Sequence, residues 1–163
     1  MVGKTTGGKS MKSLNRKVRF AAAAVLLASV CGVALAQAAD ANADRQAFMK
    51  SIGGSLSAVR TAATAGDMAT AKASAQKLSD GFKKFAVQFP AGSDATTGKT
   101  RAKAEIWTDA AGFKAANDKA IAASDALLLA TDGEDAAAVA AALSSVQKTC
   151  GGCHSVYRSP PLS

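Results

Sequence analysis

Residues 139–157 read VAAALSSVQKTCGGCHSVY. Val139, Leu143, Val146, Cys150, Cys153 and Tyr157 recur at intervals of 4, 3, 4, 3 and 4 residues. A period of 3.5 is the seam of a helix packed in a left-handed bundle. The two cysteines continue that seam, so whatever they carry faces the bundle core. The stretch from about Asp135 to Arg158 is read as the last helix of an all-α fold, an antiparallel four-helix bundle.

Within this helix, Cys150-Gly151-Gly152-Cys153-His154 is C-x-x-C-H, the attachment sequence for c-type haem. Two thiols can form thioethers with the haem vinyl groups, and the next imidazole can ligate the iron. The motif predicts one covalent haem c, bound through Cys150 and Cys153, with His154 as a metal ligand. A zinc site needs four ligands, and beyond the leader described next the chain has two Cys and one His, all in this motif. A thioredoxin-like pair belongs beside a βαβ pattern, and no strand pattern occurs. A Cys150–Cys153 disulfide would leave His154 without a role. Gly151 and Gly152 each cost about 1 kcal/mol in a helix relative to Ala, a cost that the thioether bonds and haem packing would offset.

Residues 1–38 are read as a cleaved secretory signal peptide, and 39–163 as the bundle domain. Six basic residues between Lys4 and Arg19 precede a run of small and apolar residues from Phe20 to Ala36. Cleavage after Ala36 and cleavage after Ala38 both fit the small-residue pattern. The run is short for a spanning helix, which needs roughly 20 apolar residues, so no stable membrane anchor is expected. Haem is attached outside the bacterial cytoplasm. The leader and the motif thus agree on the periplasm.

The leader also changes the charge. The whole chain is +8, but six of its 20 basic residues and none of its 12 acidic ones lie in the leader. The remainder, 14 basic and 12 acidic, is nearly balanced and offers no patch for nucleic acid.

Three further helical stretches are expected. The first runs from about Asn42 to Ala65, with Met49, Ile52, Leu56 and Val59 on one face, and Gly66-Asp67 ends it. The second runs from about Met68 to Val87, with a stripe of Leu78, Phe82, Phe85 and Phe89 near its end. Pro90 to Gly98 reads as a loop and a crossover between helix pairs. The third runs from about Thr100 to Thr131, broken by Asp132-Gly133.

A C-x-x-C-H on the fourth helix followed by Tyr157-Arg158 resembles cytochrome c prime and its relatives, the class II c-type cytochromes. Arg45-Gln46-Ala47-Phe48-Met49-Lys50 is similar to the family's first-helix opening, and Glu105 to Phe113, with its Ile106-Trp107, to its third-helix signature. The resemblance implies a four-helix bundle, a periplasmic location and frequently a homodimer built from the first two helices. It also implies two branches. Members with an apolar residue over the distal iron face are five-coordinate and bind NO or CO. Members with Met there are low-spin electron carriers.

Counting narrows the distal ligand. The single His belongs to the motif, Cys31, Met1 and Met11 belong to the leader, and Met49 and Met68 remain. By resemblance Met49, four residues after Arg45, faces the distal iron. Its other role is gap filling, common for Met in helices. The expected function is therefore one-electron transfer between redox partner proteins through a haem held by His154 and Met49, and not enzyme catalysis. The alternative is NO or CO binding at an open or displaceable distal site. A peroxidase would need a distal His or acid pair, which the chain does not supply. By resemblance Arg158 lies beside the proximal His; its other reading is a solvated charge at a helix end. Arg45 is a candidate partner for a haem propionate or a surface charge. Trp107 and Phe113 read as haem-packing or core aromatics. Lys83, Lys84, Lys99, Arg101 and Lys103 read as solvated faces or as a docking surface for an acidic redox partner.

Overall fold

The computed structural model describes residues 3, 41–94, 100–133 and 135–160. The chain divides into two units after Ala36, and the fold below belongs to the second. The leader assigned to residues 1–38, apart from residue 3, lies outside the described residues, as do Lys99 and the loop positions 95–98.

Four long helices form the bundle: α1 (41–64), α2 (Met68–Phe85), α4 (Ala110–Ala130) and α5 (Ala136–Tyr157). A short helix, α3 (Glu105–Thr108), precedes α4. α4 packs against both α5 and α2. Among the described residues the only β-type pairing is an isolated antiparallel bridge between Ala102 and Arg158, and no helix is long and apolar enough to cross a membrane.

Local signals explain the boundaries. Gly66 closes α1 with a φ of 75°, a conformation that L side chains rarely adopt. Asp67 then caps α2 by accepting from Thr70 N at 2.9 Å. The 3₁₀ turn Ala86–Gln88 extends α2 and leaves Phe89 just beyond it. Asp135 caps α5 through Ala137 N.

The α5 seam is buried as its period requires. Val139, Leu143, Val146 and Tyr157 are in the core, and Cys150 and Cys153 are half-buried against it. The corresponding faces of α1 and α2 supply Ile52, Val59, Leu78, Phe82 and Phe85.

The third stretch departs from the sequence reading. It is not one helix from Thr100 to Thr131. Asp109 has a φ of −121° and a ψ of 57°, outside the helical region, and its side chain caps α4 through Gly112 N. Competition of an Asp side chain for a free backbone N–H is what starts a new helix there. Residues 100–103 are not helical either, and Ala102 pairs with the end of α5.

Candidate haem-binding site

Antiparallel packing brings the starts of α1 and α4 and the ends of α2 and α5 to one end of the bundle. The aromatic residues collect there. Ring centroids are 5.0 Å apart for Phe85–Phe89, 4.9 Å for Phe89–Phe113 and 5.3 Å for Phe113–Tyr157. All three pairs are edge-to-face, the arrangement favoured by the ring quadrupole.

These rings do not close over one another. They border a cavity of about 440 Å³ that also exposes Met49, Ile106, Cys153 and His154. A smaller cavity of about 30 Å³ lies among Met49, Phe82, Phe113, Cys150, Cys153 and His154. The structure thus brings together Cys150, Cys153, His154 and Met49, although Met49 comes from a helix some hundred residues earlier. Met68 is the first residue of α2 and lines neither cavity.

The two thiols are free and half-buried. Burial pushes both above the ordinary thiol range. At Cys153 the neighbouring Cys150 adds to this and Arg158 opposes it. Burial, and then the charges of Arg158 and Arg101, hold His154 below the ordinary imidazole range. This favours the neutral imidazole, the form that ligates metal.

Four cations, Arg45, Lys50, Arg101 and Arg158, line the larger cavity, and its described lining contains no carboxylate. An apolar hollow with the Cys153 thiol and an imidazole on its wall, cations around it, and the Cys150 thiol in the small cavity that shares Met49, Phe113, Cys153 and His154 with it, fits haem, a flat apolar ring bearing two carboxylates.

Arg45 is only 5 % exposed. Its Nη1 donates to Ser93 Oγ at 2.8 Å and Gln88 O at 3.3 Å, and its Nη2 to Ser93 O at 2.9 Å. The guanidinium also lies 5.0 Å from the Phe89 ring centroid and 5.7 Å from that of Trp107. It is not a surface charge. It pins the segment after α2 against α1. Arg158 is exposed, and its backbone N donates to His154 O at 3.2 Å. Trp107 Nε1 donates to Pro90 O at 3.1 Å, so this ring also ties down the loop. Phe113 is buried in the cavity wall.

Three contributors have no cavity role in the sequence reading. Lys50 was not assigned at all. Arg101, which the sequence reads as part of a solvated face or of a docking surface for an acidic redox partner, donates its Nε to Ser159 O at 2.9 Å. Asp109 accepts from Tyr157 Oη at 3.0 Å while capping α4. Only the last left a signal, an Asp three residues before Gly112 in the pattern of a helix start.

The family model for cytochrome c' matches residues 40–158. Cytochrome c-556 of Agrobacterium fabrum is 37% identical over 145 residues, which cover 87% of this chain and 96% of the relative. The solved cytochrome c' of Rubrivivax gelatinosus superposes with a TM-score of 0.67 at 34% identity, covering 75% of this chain and 97% of that one. A solved nitric oxide complex of a cytochrome c prime variant from Alcaligenes xylosoxidans gives 0.67 at 26% identity, covering 74% and 95%. All three are cytochromes, and the two solved ones share this fold. The chain belongs to the cytochrome c' family and carries covalently bound haem c.

Proposed function

We propose that this chain is a periplasmic carrier of single electrons in which His154 and Met49 would both hold the haem iron. The observation that carries the reading is that Met49 and His154, from α1 and α5, line both cavities together. When bound, haem supplies a one-electron ferric/ferrous couple. His/Met ligation favours the ferrous state and raises the potential relative to His alone. The chain's part is to keep His154 neutral, to exclude water with the aromatic wall, and to offset the propionates with Lys50, Arg101 and Arg158. Arg45 reinforces that charge from its buried place. The export signal proposed for residues 1–38 delivers the chain to the compartment where haem is attached.

A second reading has a specific observation behind it. The solved relatives are cytochromes c', and structures among them hold nitric oxide. These names favour gas binding over electron transfer. In that reading Met49 packs the cavity without holding the iron, or yields its place to NO or CO. Adding CO to the reduced protein separates the two. A low-spin spectrum that CO leaves unchanged supports the carrier. A high-spin spectrum with rapid CO binding supports the gas-binding alternative.

The homodimer implied by the resemblance is proposed to form through α1 and α2. A groove of about 320 Å³ lies there, with Phe48 and Ile52 from α1 and Lys77 and Lys84 from α2 among its walls. Sedimentation equilibrium should give twice the chain mass; a single-chain mass at micromolar concentration would remove the proposal.

A further inference from the structure

Residues 100–103 form a strap across the end of the haem-bearing helix. Ala102 and Arg158 make the antiparallel bridge. Lys103 N donates to Tyr157 O at 3.1 Å, and Ser159 N donates to Arg101 O at 2.8 Å. Side chains add to the ladder: Lys103 Nζ donates to Val156 O at 2.7 Å, and Arg101 Nε to Ser159 O at 2.9 Å. The strap joins the loop side of the bundle to the turn that carries His154.

Arg101 is tied at both its backbone and its side chain. It lines the same cavity as Cys153, His154 and Arg158. An arginine guanidinium is a rigid, planar, positively charged fork. A tether at Nε therefore fixes a full positive charge at the wall of the cavity.

We propose that Arg101 is a redox-tuning residue, whose charge, held in place by the strap, favours the reduced state of the site. When the site gives up one electron to an electrode or a partner protein, its net charge rises by one. A fixed cation nearby opposes that rise. The half-exposed position weakens the effect without removing it, because the effective dielectric there lies well below that of water. The inference rests on haem attachment at Cys150 and Cys153 and holds whether or not Met49 binds the iron.

The test is a spectroelectrochemical titration of the haem-loaded protein, wild type beside Arg101→Lys and Arg101→Gln. Both substitutions remove the Nε bond to Ser159 and leave the backbone ladder intact, but only Arg101→Gln removes the charge. Arg101→Gln is expected to lower the midpoint potential, so that the ferrous-to-ferric ratio at a fixed potential falls severalfold. Arg101→Lys is expected to stay close to wild type, and added salt to shrink the difference. An unchanged potential in Arg101→Gln would overturn the proposal. An equal fall in both variants would also overturn it, since the lost tether and not the charge would then be responsible. Spectra taken during the titrations report the axial ligands separately, so a failure of the Met49 assignment is seen as such.

Discussion

Gly112 has no room for a side chain. A Cβ there would lie 2.6 Å from Tyr157 Oη and would also collide with the Asp109 carboxylate. The Tyr157–Asp109 hydrogen bond occupies that space. Gly112→Ala should therefore cost about 1–3 kcal/mol, the range for overpacking, seen as a lower midpoint in chemical denaturation. An unchanged midpoint would mean that the contact relaxes freely. Arg45 makes a parallel case. Replacing it by Met keeps much of the bulk but removes the donors to Gln88 O, Ser93 Oγ and Ser93 O. Hydrogen bonds to a charged group are worth about 1.5–3 kcal/mol, and a loss of that order is expected in the same denaturation experiment. The two residues differ in what the sequence disclosed. Cys150, Cys153 and His154 announce themselves because their spacing is itself the chemistry. The partners of Arg45 are carbonyls and a hydroxyl more than 40 positions away, and nothing local marks them. Arg45 therefore reads as a surface or propionate charge until the fold is seen.

At the scale of elements, periodicity was a good guide where one face is buried continuously. Val139, Leu143, Val146 and Tyr157 of the α5 seam and Leu78, Phe82 and Phe85 of the α2 stripe are buried, with Cys150, Cys153 and Phe89 partly buried against them. It failed between Thr100 and Asp109. There Ala102, Ile106 and Trp107 suit a helix in composition, but tertiary pairing with 157–159 claims the backbone of 101–103 and Asp109 starts a separate helix. A polar clip joins α2 to α4: Ser79 and Lys83 both donate to Asp125 Oδ1. These bonds, that from Ser79 foremost, hold the Asp125 carboxyl below the ordinary carboxylate range. A folded-state pKa below the unfolded value of about 3.9 gives stability that is present above that value. It is lost as pH falls through the folded value. Asp125 is 42% exposed in its side chain, so the gain is set at about 0.2–1 kcal/mol, as for exposed pairs. Thermal melts of wild type and Asp125→Asn should differ at pH 7 and converge as pH falls below the ordinary carboxylate range. A gap that stays constant with pH would show that charge is not what the clip uses.

The bundle is polarised along its axis. Apart from Phe20, every phenylalanine lies at the cavity end, joined by Trp107 and Tyr157. At the other end the core is built from smaller residues, such as Ala62, Ala63, Ala71 and Val139. Small side chains bury little area each, and burial contributes about 25 cal/mol per Å². A cofactor filling a cavity of about 440 Å³ would complete the core as well as the site. Replacing both Cys150 and Cys153 by Ala, which prevents attachment, should lower the thermal midpoint by well over ten degrees. A midpoint matching the haem-loaded protein would show that the helices alone supply the stability. Composition foretold this in part, since an Ala-rich chain has little bulk with which to build a core. That the bulk is gathered at one end depends on the antiparallel order of the helices. The same order brings Met49 to the cavity that holds His154, and the proposed function turns on that pairing. The most direct measurement is a pair of absorption spectra, ferric and ferrous, for wild type and Met49→Leu. The expected result is a low-spin wild type and a high-spin variant that binds CO. Identical spectra for the two proteins would contradict a role for Met49 at the iron.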